Sequence, residues 1–133
     1  MPAPAKVFII DDDESVREAM KDLIQHLGYD TEAFASAEHC LNCGHIAEAA
    51  CLISDVRMPG MNGFDLHRRL LADGHRVPVI FMSAHPGEAL RAVAIKAGAI
   101  GFLDKPVNVP HLIDCLNKAL ESRLCDNCRR RSC

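Results

Sequence analysis

Short apolar runs alternate with longer segments of helical periodicity along the whole chain. The runs have the length and composition of buried strands, and they occupy residues 6–10, 29–34, 51–54, 78–82 and 100–103. Around them, apolar residues recur every three or four positions, which predicts helices over 14–27, 36–43, 64–73, 86–97 and from 110 onward. Residues 44–50 fit either a loop or a helical extension. Strands and helices in this alternating order predict an α/β fold, a doubly wound five-stranded parallel sheet with helices on both faces.

The predicted helices have identifiable ends and inward faces. Asp13 and Ser36 stand where side-chain caps of the first and second helices are expected. Helical spacing places Leu71 of the third helix and Ile113 of the last helix on inward faces. His67 is one of several scattered histidines and is predicted to be exposed. These assignments name the side of each helix that is expected to pack on the sheet.

Composition limits the classes of function. The chain has 133 residues, of which 49% are hydrophobic and 25% charged, and this is typical of one soluble globular domain. A formal net charge of −3 does not favour direct binding to nucleic acid. No apolar run approaches the length of about 18 residues that spans a membrane, and the N-terminal sequence MPAPAK lacks the apolar core of a signal peptide. We therefore expect a cytoplasmic protein.

Polar side chains follow four of the five apolar runs. Asp11 and Asp12 follow the first run, Asp55 the third, Ser83 the fourth, and Lys105 comes shortly after the fifth. The carboxyl ends of parallel strands lie at one edge of a sheet, which is where ligands bind in such folds. Asp55 stands alone after a central strand, and the Pro/Gly-rich loop behind it lets a ligand approach closely. These side chains are therefore expected to meet in one pocket.

The residue types at this edge predict a site for a phosphoryl group. Carboxylates in a small pocket repel one another unless a cation lies among them, and oxygen ligands suit Mg²⁺, with Mn²⁺ as a possible substitute. The ammonium group of Lys105 and the hydroxyl of Ser83 are suited to pair with phosphoryl oxygens. Asp55 is then the candidate nucleophile, because carboxylates act in this way in aspartyl-phosphate chemistry.

Four sequence motifs resemble those of the receiver domain of two-component response regulators. They are IIDDDESVR, SDVRMPGMNG, FMSAHPG and GFLDKPV. The last two look most like receivers of nitrogen-fixation-type regulators that carry a helix-turn-helix output domain. The resemblance covers residues 5–122 and leaves residues 123–133 as a flexible tail rich in Cys and Arg. It implies a flavodoxin-like sheet with the strand order 2-1-3-4-5.

The resemblance also implies an acceptor and a metal site. Asp55 would accept a phosphoryl group from a histidine kinase or a phosphotransfer protein. Asp12 and Asp55 would bind Mg²⁺ through their side chains and Arg57 through its main-chain carbonyl. Asp11 would act through a bound water molecule. The acceptor and the metal ligands would therefore share one pocket.

Four further residues take roles by the same resemblance. Lys105 would bind the phosphoryl group, would reach the acceptor in the resting state, and would precede Pro106 through a cis peptide bond. Ser83 would swing toward the phosphoryl group, and Phe102 would change its rotamer behind it. Ala84 is small, which keeps the acceptor accessible.

The implied protein is a regulated phosphoacceptor and not an enzyme in the usual sense. It would phosphorylate itself from small phosphate donors in the presence of Mg²⁺ and would dephosphorylate itself. Phosphorylation would change the face made by the fourth helix, fifth strand and fifth helix, where receivers dimerise or meet a partner. No helix-turn-helix fits in the chain, so direct DNA binding is not expected. Residues 129–131, all Arg, fit either a linker to an output domain or the end of a stand-alone receiver.

A small phosphatase of the haloacid dehalogenase type is the main alternative. Asp11 and Asp13 have the D-x-D spacing after a first strand that those enzymes use, with Ser83 and Lys105 as later partners. Against this alternative, no further acidic pair follows Lys105 to hold the metal. A chain of this length also leaves no room for a cap domain.

The seven cysteines leave a second question open. Without a secretion signal they do not predict a disulfide scaffold, and Cys51 and Cys115 fit small buried hydrophobic side chains. Two C-x-x-C pairs, the first with His45 nearby, leave structural zinc or redox sensing as an additional role. These pairs are Cys40 with Cys43 and Cys125 with Cys128.

Overall fold

A five-stranded parallel sheet forms the centre of the molecule. The computed structural model describes the backbone of residues 5–84 and 87–132, and the side chains of this part as far as residue 121. The strands are β1 (Lys6–Ile10), β2 (Asp30–Phe34), β3 (Ala49–Asp55), β4 (Val79–Ser83) and β5 (Gly101–Asp104). Neighbouring strands are parallel and follow the order β2-β1-β3-β4-β5. This arrangement confirms the predicted fold class and strand order.

Helices cover both faces of the sheet. They are α1 (Glu14–His26), α2 (Ala37–Leu41), α3 (Gly63–Ala72), α4 (Glu88–Lys96) and α5 (Val109–Ser132), with a 3-10 turn at Ile46–Glu48. Buried side chains of α2, α3 and α4 pack on one face of the sheet, and those of α1 and α5 pack on the other. Within β1, Phe8 points to the first of these clusters and Ile9 to the second. Because both faces of the central strands are buried, those strands are mostly apolar.

The two predicted helix caps are present. The side chain of Asp13 accepts hydrogen bonds from the backbone N–H groups of Ser15 and Val16 at the start of α1. Ser36 accepts one from the N–H of His39 at the start of α2. These contacts satisfy amide groups that have no partner inside the helix. The stretch over residues 44–50, for which the sequence allows two interpretations, forms the 3-10 turn and then enters β3.

Three predicted side-chain positions are wrong. Leu71 and Ile113 are predicted to face inward, but they are 48% and 36% exposed. His67 is predicted to be exposed, but it is buried with its ring near that of Phe81. The residues that pack on the sheet are Leu66, His67 and Leu70 in α3 and Leu112, Cys115 and Leu116 in α5. Leu71 and Ile113 each follow an inward residue, and one step along a helix rotates the side chain by about 100°.

The ends of α4 and α5 differ from the prediction. α4 begins at Glu88, and the predicted start near Pro86 lies outside the described residues. α5 continues to Ser132, so the backbone is helical where the sequence predicts a tail, and Cys133 lies outside the described residues. The domain boundary at residue 122 remains a prediction. Within the described part of the chain, no helix combines the length and the apolar character needed to cross a bilayer.

Candidate functional site

β1 is followed by two acidic residues with different surroundings. Asp11 is fully buried, and its carboxylate accepts a hydrogen bond of 2.9 Å from the backbone N–H of Asp13. The main-chain carbonyl of Asp11 accepts a second one, also 2.9 Å, from the guanidinium of Arg17. Asp12 is exposed. Local contacts therefore fix the carboxylate of Asp11, whereas Asp12 faces solvent.

β3 presents Asp55 at its carboxyl end. This strand pairs with β1 on one side and with β4 on the other, and Asp55 is only 7% exposed. The backbone N–H of Arg57 donates to Asp55 Oδ1 over 3.4 Å, a long hydrogen bond. The start of α3 packs tightly, because a Cβ atom built on Gly63 would lie 2.5 Å from the main-chain oxygen of Asp55. The role of the Arg57 carbonyl as a metal ligand remains a prediction.

Lys105 joins the two buried carboxylates. Its backbone N–H donates to the carbonyl of Ser83 over 2.9 Å, which ties the end of β5 to the end of β4. The bond between Lys105 and Pro106 is cis, as predicted. The side-chain Nζ donates to Asp11 Oδ2 at 2.8 Å and to Asp55 Oδ2 at 3.0 Å. The fold thus brings together the polar ends of three strands.

Burial and charge act in opposite directions on these groups. Burial raises the pKa of Asp55, the hydrogen bond and charge of Lys105 oppose this rise, and the charge of Asp11 adds to it. Burial by itself lowers the pKa of Lys105, but hydrogen bonds and charges from Asp11 and Asp55 outweigh it, so the pKa of Lys105 is raised. Lys105 is therefore an ammonium ion at neutral pH, and a single positive charge faces several carboxylates.

Three carboxylates form a group that suits a hard cation. One oxygen atom from each of Asp11, Asp12 and Asp55 lies within 4.8 Å of the others. Carboxylate oxygens in such a group fit Mg²⁺, which needs few protein ligands and keeps several waters. Among the described residues, Asp13 is not part of this group, and its carboxylate caps α1 instead. The D-x-D alternative therefore lacks its second carboxylate in the pocket.

Ser83, Ala84 and Phe102 lie around the ends of β4 and β5. Ser83 is buried, and it follows Met82, which is the partner of Asp55 in the β3–β4 register. Ala84 is exposed, and Phe102 is buried within β5. These positions agree with a shared edge, and the roles expected for the three residues remain predictions.

Arg91 is a neighbour of this edge that the sequence did not single out. Its guanidinium carbon lies 5.3 Å from the centroid of the Phe102 ring. Its Nη2 donates to Asp104 Oδ1 over 2.6 Å. A cation above an aromatic face and an ion pair therefore hold α4 against β5. Arg91 is one of several charges on a mostly exposed helix, so no motif marks it in the sequence.

The cysteines divide into buried and partly accessible groups. Cys51 and Cys115 are buried, as predicted, and burial raises the pKa of Cys51 to about 12. In the first C-x-x-C pair, Cys40 is buried and Cys43 is half-buried. The side chains of the second pair, residues 125 and 128, lie outside the described part of the chain. A zinc site shared by the two pairs therefore remains a prediction.

The fold and the site together define a class of protein. It is a parallel α/β protein with a pocket at the carboxyl edge of its sheet, in which Lys105 bridges Asp11 and Asp55. We call this site the acid pocket. Residues 7–117 match the family model described as the response regulator receiver domain. The chain therefore belongs to the response regulator receiver domain family of two-component systems. This membership confirms the family predicted from the four sequence motifs.

Individual relatives show the extent of the similarity. The response regulator protein TodT of Pseudomonas putida is 40% identical over 115 residues, which make up 86% of this chain and 51% of TodT. The transcriptional regulatory protein FixJ of Azorhizobium caulinodans is 36% identical over 120 residues, 90% of this chain and 57% of FixJ. The solved structure of the response regulator StyR has a TM-score of 0.88 and 35% identity, covering 98% of this chain and 66% of that one. The chain spans about half the length of the curated relatives it matches.

Proposed function

We propose that Asp55 accepts a phosphoryl group from a histidine kinase or a phosphotransfer protein. The observation that carries this proposal is the position of Lys105, whose ammonium group donates to both Asp55 and Asp11. An ammonium ion at this place is ready to pair with a phosphoryl oxygen on the neighbouring carboxylate. Asp55 is preferred as the acceptor because its side chain is 10% exposed, whereas that of Asp11 is fully buried.

Mg²⁺, with Mn²⁺ as a possible substitute, fits the group of carboxylates. The side chains of Asp12 and Asp55 and the main-chain carbonyl of Arg57 would hold the ion, with Asp11 acting through a water molecule. When bound, the ion neutralises charge on phosphoryl oxygens and on the carboxylates that hold it. Lys105 remains beside it as a second source of positive charge.

In the transfer, a carboxylate oxygen of Asp55 attacks the phosphorus atom while the bond from phosphorus to the donor nitrogen of the kinase histidine breaks. The imidazole leaves with the electron pair of that bond, and Lys105 pairs with an oxygen of the transferred group. The same pocket accepts a phosphoryl group from acetyl phosphate, from which acetate leaves. Water later attacks the phosphorus, which returns the Asp55 carboxylate and releases phosphate. Uptake from acetyl phosphate and the later hydrolysis are reactions that the protein would carry out on itself.

The face made by α4, β5 and α5 is proposed to respond to phosphorylation. Ser83 would turn its hydroxyl toward the phosphoryl group, and Phe102, which lies beside Arg91, would adjust behind it. On α4, Ile95 is 74% exposed and Val93 is 49% exposed. Ile95 therefore leaves apolar surface on this helix that a binding partner would bury. We propose that the phosphorylated form uses this face to dimerise or to bind its partner.

The acceptor is tested by incubating the protein with acetyl phosphate and Mg²⁺ and measuring its intact mass. One phosphoryl group per chain is expected, stable to acid and released by hydroxylamine, since an acyl phosphate has these properties. Asp55→Asn should take up none. Asp22→Asn, which changes an exposed carboxylate of α1, is the matched control and should be labelled like the parent. Labelling of Asp55→Asn to the parent level would show that the acceptor is another residue.

A further inference from the structure

A second group of metal-ligating side chains lies away from the acid pocket. Glu32 in β2, Cys43 just after α2 and His45 just before the 3-10 turn offer an oxygen, a sulfur and a nitrogen atom. These three atoms lie within 4.8 Å of one another, and all three residues are half-buried. The fold brings together two segments that are well separated in sequence, so this is not a chance cluster within one exposed turn.

The backbone and the core direct these side chains toward each other. Gly44, between Cys43 and His45, has a φ of +81°, a left-handed conformation that glycine adopts without strain. The ring of His45 packs edge-on against that of Phe8, with 5.7 Å between centroids and an interplanar angle of 75°. Phe8 is the direct partner of Glu32 in the register of β1 and β2. The imidazole and the carboxylate therefore lie over the same part of the sheet.

Hydrogen bonds orient the nitrogen and the sulfur as they are oriented in metal sites. His45 Nδ1 lies 2.9 Å from the main-chain oxygen of Cys43, which fixes Nδ1 as the N–H donor and directs Nε2 to the carboxylate of Glu32. Metal-bound histidines commonly donate their other ring N–H to a backbone carbonyl in this way. The backbone N–H of His45 also donates to Cys43 Sγ over 3.4 Å, which holds the sulfur atom on the same side of the turn as the imidazole.

We propose that Glu32, Cys43 and His45 bind a borderline-soft divalent transition metal, with Zn²⁺ as the principal candidate. One thiolate, one imidazole nitrogen and one carboxylate oxygen are ligands that Zn²⁺ takes in proteins, and three of them leave a fourth tetrahedral position for water. Binding releases two protons to solvent, the thiol proton of Cys43 and the proton that lies between His45 Nε2 and Glu32, and no electrons are transferred. This ligand set differs from the oxygen-only pocket at the other site, which suits Mg²⁺.

Cys40 is placed differently from Cys43, although the two form a C-x-x-C motif. Cys40 lies in α2 and is fully buried in the core, and within the described residues it is not part of the ligand group. The sequence alone suggests a site made from two cysteine pairs. The fold instead joins Cys43 to a histidine and to a glutamate of the edge strand. The proposed site therefore needs neither Cys40 nor the cysteines at positions 125 and 128.

The experiment is a titration of the full chain, reduced and freed of metal, with Co²⁺. This ion occupies zinc sites, and its thiolate complexes have a charge-transfer band in the near ultraviolet. We expect that one equivalent of Co²⁺ gives this band together with visible bands of tetrahedral cobalt, and that Zn²⁺ removes both. Cys43→Ser should abolish the charge-transfer band. His45→Gln and Glu32→Gln should each weaken binding by at least about tenfold, because loss of even a supporting partner costs about 10–100-fold.

Matched variants separate this site from the other candidates. Cys40→Ala, Asp55→Asn and the double variant Cys125→Ser/Cys128→Ser should all retain the band. Far-UV circular dichroism and unchanged labelling by acetyl phosphate show that Cys43→Ser is folded. The proposal is overturned if the band persists in Cys43→Ser, if it disappears in the double tail variant, or if the parent gives no band. The last result would mean that His45 and Glu32 form only a hydrogen-bonded pair.

Discussion

Replacement of Lys105 by methionine is expected to destabilise the unmodified domain. The substitution keeps an unbranched side chain but removes the ammonium group that donates to Asp11 and Asp55. Removing one partner of a buried ion pair costs about 3–5 kcal/mol, because the remaining charge is left unpaired. The side chain of Lys105 is 16% exposed and that of Asp55 is 10% exposed, so water compensates part of the loss. We therefore expect a decrease of about 3 kcal/mol in the free energy of unfolding.

Urea denaturation at neutral pH in the presence of EDTA, followed by far-UV circular dichroism, measures this change. For a domain of this size, a loss of about 3 kcal/mol lowers Tm by roughly 10 °C or more. Lys96→Met is the matched control, because Lys96 is an exposed residue of α4 and its replacement should change stability by less than about 0.5 kcal/mol. Addition of Mg²⁺ should stabilise Lys105→Met more than it stabilises the parent, since the ion supplies the missing positive charge.

A double-mutant cycle distinguishes charge pairing from simple packing. Asp11→Asn removes one of the two buried acceptors of Lys105. In the Lys105→Met background it should cost much less than in the parent, or should stabilise, because it relieves repulsion between carboxylates. The expected coupling energy is about 1–3 kcal/mol. Two results would refute this account of the pocket. One is that the losses in the free energy of unfolding from Lys105→Met and Asp11→Asn add within about 0.5 kcal/mol in the double variant. The other is that Lys105→Met is as stable as the Lys96→Met control.

Two further predictions concern α3. A methyl group on Gly63 would meet the main-chain oxygen of Asp55 at 2.5 Å, so Gly63→Ala is expected to cost about 1–3 kcal/mol and to slow labelling by acetyl phosphate. Gly87→Ala is the control and should leave labelling unchanged, because among the described residues beyond its chain neighbours no atom lies within 4 Å of the added carbon. Burial lowers the pKa of His67 in the folded protein. As pH decreases through about 6.5, His67 therefore becomes protonated more readily in the unfolded chain than in the folded one, and the free energy of unfolding should fall. Urea denaturation over that pH range measures the free energy of unfolding. Its dependence on pH should be smaller in His67→Leu than in the parent, and the same as in the parent in the exposed control His26→Leu. An equal pH dependence in all three proteins would contradict this role of His67.

The acid pocket was predictable because it follows from a general rule of parallel sheets. Each strand ends at the same edge, so residues such as Asp55 and Lys105 meet although 50 positions separate them. To predict the site, it was enough to find where each apolar run ends, and charged side chains mark most of those ends. The cap at Asp13 was equally local, because a short acidic side chain before a helical pattern has few other uses.

Other contacts were not predictable because they depend on packing between elements that share no motif. The pairing of Glu32 with His45 requires the loop after α2 to fold back over the edge strand. The contact of Arg91 with Phe102 requires α4 to settle at one angle on β5. The wrong prediction for His67 has a related cause. Spacing shows that α3 has an apolar face, but the centre of that face is set by the sheet beneath it.

The charges in the pocket explain why a metal ion should precede the phosphoryl group. Three carboxylates meet one ammonium ion, which leaves an excess of about two negative charges in a partly buried site. A phosphoryl group brings charge of about −1.5 to −2 in place of the single charge of Asp55, so transfer alone makes this excess larger. A divalent cation held by these carboxylates would remove the excess beforehand, and Lys105 would then be free to leave Asp11 for the new phosphoryl oxygens. The proposed dependence on Mg²⁺ is therefore the expectation from the count of charges that the fold brings together, independently of how the donor is recognised.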